Sequence, residues 1–440
     1  MSLDLTTEMP VVPADTRHHC MLLATVTAPE AREGHQRQPL NLALVLDRSA
    51  SMAGDKLVLA KQALRQAVAG LDAMDRISIV VFGTEAQILA SQVPGGQAGL
   101  ELVDELIDGI EAGTATNLER AWRVAEYAIV EGVEPQVITR CLLITDGRAT
   151  VGNTDHVTLR DIASELRQRG ITTSAFGIGS DFDEELLAAI ADAGGGSFQY
   201  VQEPADITAR LERELGEAIQ IVARDVDLHL SLPRDVDLSV IGGWPVQVNE
   251  DELIIELPDL VARQRVVVAA MVDIAALSVD SEILLAGELH WSLDGNPAMH
   301  GDVLKWSVVT AADAAAVEPD DAVVDQVLAI RTAQARLEAI RFQRKGDVHA
   351  ARDVLHRLGE TIRCDFDGLA SARRHSEELL LDEQTISKPM DEVLRKTMSH
   401  RAWSQRSRGT SDGTIDLKKQ RRDVRRDAAG YDDTSSDSSR

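Results

Sequence analysis

LNLALVLDRSASMAG, residues 40–54, runs from an apolar stretch into a carboxylate, two hydroxyls and a glycine. A short leucine- and valine-rich run closed by turn residues reads as a buried strand. At alternate positions Asp47, Ser49 and Ser51 would share one face of that strand, yet they fall where it stops, in a turn that leads to a helical pattern. Ligands of open α/β sheets bind beyond the carboxyl ends of the strands, where the strand order reverses. One carboxylate and two hydroxyls at such a place are hard oxygen donors of the kind Mg²⁺ takes. The string alone also fits a plainer use, in which Ser49 or Ser51 caps the next helix and Asp47 accepts backbone bonds.

Outward from this stretch, residues 38–222 alternate β-rich runs with longer segments of helical period, as expected of a doubly wound parallel sheet covered by helices. The strands are read in LNLALVL, ISIVVF, ITRCLLIT and TTSAFGIG, with SFQYV as an edge strand. Between them lie helical stretches such as DKLVLAKQALRQAVAGL, in which Leu57, Leu64, Val68 and Leu71 can face the sheet. Residues 223–312 change to period-two strands separated by turns, the texture of an antiparallel β-sandwich. HHCMLLATVTAP, within the N-terminal segment 1–37, has the same texture, so it is expected to supply a sandwich strand and to make the α/β domain an insertion. Residues 313–403 read as helices, beginning with a hairpin over 320–363. Residues 404–440 are charged and short of apolar side chains, which predicts a disordered tail.

Two further stretches lie in turns at the same expected edge of the sheet. GTATNLERAW places Thr116 just before a helix, and CLLITDGRATVG ends its strand at Asp146. DxSxS, then a loop Thr followed by Asn, then a strand ending in TDG, in that order, resembles the von Willebrand factor A domain with its metal-ion-dependent adhesion site. The resemblance covers roughly residues 38 to 220. It implies that Asp47, Ser49 and Ser51 ligate one divalent ion, Mg²⁺ or Mn²⁺, with Thr116 direct or through water and Asp146 through water. It further implies a movable last helix around 204–222. The DxSGS form common in the family is DxSAS here, and Ala115 stands where many members have Gly; neither change removes a donor.

What such an ion is for follows from its charge. With few protein carboxylates around it, the cation stays positive and keeps an exchangeable position that a partner's Asp or Glu can fill. The chain is therefore expected to be a non-enzymatic, metal-dependent interaction module or scaffold whose partner is a protein. The family also works beside MoxR-type AAA+ ATPases or with kinases and phosphatases, and nothing in the sequence selects among them. The opposing class is a metal-dependent hydrolase using the same site. Of the eleven His, only His156 falls near a site loop, where it reads as an exposed residue opening a helix rather than a general base.

Composition narrows the partners further. A formal charge of −27 over 440 residues disfavours nucleic acid and anionic membranes, and the longest apolar stretch is too short to span a bilayer. The basic KKQRRDVRR run is interleaved with Asp and lacks neighbouring aromatics, so it reads as a solvated tail. Three Cys distant in sequence, and a start without an apolar leader, fit a cytoplasmic protein with reduced thiols.

Overall fold

The computed structural model describes residues 1–30, 37–134, 136–293, 296–388 and 390–408. Three strands open the chain: β1 (Ser2–Thr7), β2 (Val11–Pro13) and β3 (His18–Thr27). The α/β domain follows with β4 (Leu40–Asp47), α1 (Asp55–Ala69), β5 (Arg76–Phe82), β6 (Ala86–Pro94), α2 (Gly96–Asp108), α3 (Leu118–Ile129), β7 (Ile138–Thr145), α4 (His156–Gln168), β8 (Ile171–Ile178), α5 (Glu184–Ala193), β9 (Gly195–Val201) and α6 (Ile207–Ala218). Its sheet runs in the order β6-β5-β4-β7-β8-β9. All neighbours are parallel except β5 and β6. The expected doubly wound parallel sheet is present and gains one strand that sequence reading passed over: AQILASQVP forms β6, which folds back on β5 as a partly exposed antiparallel edge.

Strand β4 shows why its sequence is apolar between Asn41 and Asp47. Leu40, Leu42, Leu44 and Leu46 meet α1, α2 and α6 on one face, while Ala43 and Val45 meet α3, α4 and α5 on the other. After β4 the chain builds β5 and β6 on one side and then crosses to β7 on the other. The switch point is therefore at the carboxyl end of β4.

The rest of the chain forms β10 (Ile221–Ser231), β11 (Val236–Ile241), β12 (Val246–Val248), β13 (Glu252–Leu257), β14 (Leu260–Val261), β15 (Arg265–Ile274), β16 (Glu282–Leu293) and β17 (Asn296–Val309). Helices α7 (Ala311–Ala314), α8 (Asp321–Arg344), α9 (Val348–Asp365), α10 (Ala370–Ile386) and α11 (Glu392–Arg408) follow. A four-stranded sheet, β1-β3-β15-β11, faces a larger sheet that includes β13-β10-β16-β17-β2 across one apolar core. Strand β3 pairs along its length with β15, so the α/β domain is inserted between β3 and β10. Among the described residues the sandwich departs from a purely antiparallel one at one short pair, β17 with β2, which runs parallel because β2 arrives from the far sheet rather than through a hairpin.

Cys20, Leu22, Ala24 and Val26 of β3 enter the sandwich core, whereas Met21 and Leu23 meet α8 to α11 on the outer face. Burial on both faces accounts for the unbroken apolar run CMLLA. Helix α11 continues to Arg408 and buries Ser404, so residues 404–408 belong to it rather than to the expected tail; residues 409–440 lie outside the described residues. Cys20, Cys141 and Cys364 are free thiols. Among the described residues no helix is long and apolar enough to cross a membrane.

Candidate functional site

Asp47 is the last residue of β4, and Ser49 and Ser51 occupy the tight turn that follows. That turn does not cap α1. The α1 N-cap is Gly54, and neither Ser makes a capping bond, which leaves both hydroxyls available. Asp47 does accept a backbone bond, from Ser49 N at 2.7 Å, and its second oxygen accepts from Thr145 Oγ1 at 2.6 Å. Burial pushes the Asp47 carboxyl up to about 6, against the pull of the Thr145 and Ser49 bonds, and the nearby Asp146 adds to the rise.

Hydrogen bonds through the backbone lash the second loop to the first and to the turn after β5, and the third loop to the second. Ala50 N donates to Thr114 O at 3.2 Å, Gly113 N to Arg48 O at 2.5 Å and Asn117 N to Gly83 O at 2.9 Å. Thr116 N in turn donates to Thr150 Oγ1 at 3.0 Å, while Thr150 N donates to Thr116 O at 2.9 Å. Asn117 caps α3 by accepting from Arg120 N, and Gly152, with φ of 75°, passes so close that a Cβ there would lie 2.6 Å from Asn117 Oδ1. Ala50 holds an ordinary negative φ, so the site turn tolerates Ala where relatives of this motif carry Gly.

The result is convergence of all five expected residues. Ser49 Oγ lies 3.1 Å from Ser51 Oγ, which donates to Asp146 Oδ1 at 2.7 Å. A Cβ on Gly147 would stand 3.3 Å from Thr116 Oγ1, 3.6 Å from Ser51 Oγ and 3.9 Å from Asp47 Oδ2. Glycine at 147 thus keeps open a small cradle walled by oxygen atoms. The donors are three hydroxyls and two carboxylates, both carboxylates fully buried, a set that fits a hard divalent cation. It contains only two acids, and among the described residues no group of three or more His, Cys, Asp or Glu is placed to hold a metal.

Two residues that sequence reading passed over complete the site. Thr145 orients Asp47, and Lys56, in the first turn of α1, places its ammonium against Asp146 Oδ2. A lysine at a helix N-terminus opposes the helix dipole, and that misfit was the available signal. His156 is not part of the cluster; its Nε2 lies 3.2 Å from Asp183 Oδ2 at the start of α5.

Comparison with known proteins agrees with this fold. The von Willebrand factor type A domain family matches residues 41–213. Protein YfbK of Escherichia coli is 29% identical over 222 residues, 49% of this chain and 38% of the relative. Human inter-alpha-trypsin inhibitor heavy chain H4 is 28% identical over 188 residues, 41% of this chain and 20% of the relative. The matched part therefore spans well under half of either relative's length. Over nearly the whole chain, the fold is that of a von Willebrand factor type A protein from Catenulispora acidiphila, with a TM-score of 0.72 at 17% identity, covering 91% of this chain and 96% of that one. Residues 41–213 match the von Willebrand factor type A domain, in a region inserted into a β-sandwich and backed by C-terminal helices.

Proposed function

We propose that the protein is a metal-dependent interaction module. Asp47, Ser49, Ser51, Thr116 and Asp146 hold one divalent cation, Mg²⁺ or Mn²⁺, and a partner protein docks by offering an Asp or Glu side chain to it. The observation that supports this most directly is the oxygen-walled cradle around Gly147, where three loops place hydroxyls and two buried carboxylates together. When bound, the ion supplies local positive charge on a protein whose own charge is strongly negative.

The chain's own residues do the rest. Asp47, clamped by Thr145 and by Ser49 N, presents a fixed carboxylate. The Ser and Thr hydroxyls donate neutral oxygens, so they fix position without cancelling the ion's charge. The sheet below is held by apolar burial on both faces and needs no ion to fold. The assembly partner, including an AAA+ ATPase or a kinase or phosphatase, is chosen by surfaces around this contact, in a cytoplasmic setting.

The test is a pull-down from native lysate with Mg²⁺ or with EDTA, beside thermal unfolding of the purified chain under both conditions. A partner lost on chelation from a protein that stays folded supports the reading. A complex indifferent to EDTA, or one that survives replacement of every acidic residue on the partner's contact face, overturns it.

A further inference from the structure

Lys56 sits where a cation would not be placed by helix physics alone. It is the second residue of α1, at the positive end of the helix dipole, yet its ammonium meets Asp146, whose side chain is fully buried. Asp146 divides its two oxygens: Oδ1 accepts from Ser51 within the donor cluster, and Oδ2 faces Lys56. The tip of the lysine is hemmed in by the end of β8, since a Cβ on Gly179 would lie 3.7 Å from Cε and 3.8 Å from Nζ. Its side chain is 24% exposed, so the ammonium is held in place and only partly screened by water.

The charge count then distinguishes two kinds of site. Asp47 and Asp146 carry two negative charges, which a divalent ion cancels. A site built of these groups alone would carry no net charge when loaded, so only the ion's short-range attraction would favour a carboxylate over water. With Lys56 the loaded site is left with one positive charge. We propose that Lys56 is the residue that sets the ligand preference of this site, weakening its hold on the ion while keeping the loaded site cationic, so that an anionic oxygen rather than a neutral one completes it. This rests on the metal-site reading above and specifies what that site accepts. The two effects share one cause: the ammonium repels the divalent ion and attracts the incoming carboxylate.

The opposite signs make the inference testable on the full chain with simple probes. Mn²⁺ alone is titrated into wild type, Lys56→Met and Lys56→Arg by calorimetry. Acetate is then titrated into each Mn²⁺-loaded protein, and loss of water-proton relaxation reports acetate displacing metal-bound water. Lys56→Met is expected to bind Mn²⁺ about tenfold more tightly and acetate about tenfold more weakly, whereas Lys56→Arg, which keeps the charge, stays close to wild type. If Lys56→Met does not fold, as judged by circular dichroism, Lys56→Gln takes its place with the same expectation. Both affinities moving in the same direction, or neither moving, overturns the role of Lys56 while leaving the metal site standing. A wild-type protein that takes up no Mn²⁺ overturns the metal-site reading and this inference with it.

Discussion

Two lysines pair with buried carboxylates in this molecule, and they do different work. Lys396 of α11 is completely buried: its ammonium donates to Glu184 Oε2 at 2.8 Å and to Phe182 O at 2.6 Å and lies 3.8 Å above the Phe182 ring. Arg395 also reaches Glu184, at 3.2 Å. Burial pushes the Glu184 carboxyl up, but the Lys396 ammonium, a backbone bond and the Arg344 charge together outweigh it and hold the group below the usual carboxylate range. Lys56 is partly open to solvent and meets an aspartate whose other oxygen accepts from the Ser51 hydroxyl. The first pair is saturated and joins the C-terminal helix to the α/β domain. The second has spare donors around it and room beside Gly147, so a charge can enter. Completeness of bonding separates a structural ion pair from a binding one.

Breaking the saturated pair gives the largest expected effect. Lys396→Met leaves Glu184 buried with Arg395 and the more distant Arg344 and should destabilise the protein by roughly 3 kcal/mol. Chemical denaturation should return the same loss with and without Mg²⁺. Lys56→Met should lose less, and adding Mg²⁺ should restore most of it, because the ion supplies the charge that Asp146 has lost. An Mg²⁺-insensitive deficit in Lys56→Met would erase the distinction between the two pairs.

A buried acid without a cation sharpens the contrast. Glu8 accepts from Met21 N at 2.7 Å and from Thr7 Oγ1 at 3.1 Å, and burial pushes it up to about 7 from an ordinary 4.5. Because the folded value is the higher, the Glu8 contribution to stability is full below about 4.5 and is lost as pH rises through 7, on the order of 3 kcal/mol in all. Glu8→Gln, whose side-chain oxygen can still accept from Met21, should remove most of that slope. Denaturant midpoints of both proteins at pH 5 and pH 8 measure it, and parallel slopes would show that Glu8 is not the group responsible.

Within the site, Asp47→Asn should weaken Mg²⁺ binding at least about a hundredfold in calorimetry while leaving the fold intact, since the amide keeps the shape and loses the charge. Ser49→Ala and Thr116→Ala should be milder, about tenfold each, because water can replace a neutral oxygen. Equal losses at all three positions would mean that the turn geometry, and not the donor charge, governs the site.

Much of this was legible in the residues. The apolar run of β4, the DxSAS turn, Thr116 before α3 and Asp146 after β7 locate the five candidate ligands, because strand and helix periodicity place their turns at one edge of the sheet. The period-two texture of HHCMLLATVTAP likewise points to a sandwich strand. Local patterns report such things because they arise from backbone geometry shared by near neighbours.

Other features depend on contacts between distant segments. That β6 folds back antiparallel on β5 was hidden in a polar, half-buried edge strand with weak periodicity. The parallel pairing of β2 with β17 joins residues some three hundred positions apart. The seating of α11 rests on long-range contacts with α5 and β9: the Lys396 and Arg395 pairs with Glu184, Trp403 Nε1 to Asp192 at 2.7 Å and His400 Nε2 to Phe198 O at 3.0 Å, while α11 itself has little apolar periodicity to announce it. Lys56 reads as an ordinary helix-surface lysine until β7 delivers Asp146 beside it. The sequence by itself determined which residue types stand at the carboxyl edge of the sheet. Only the tertiary structure decided which charges face one another there, because electrostatic pairing is set by distances across the fold that no local period encodes.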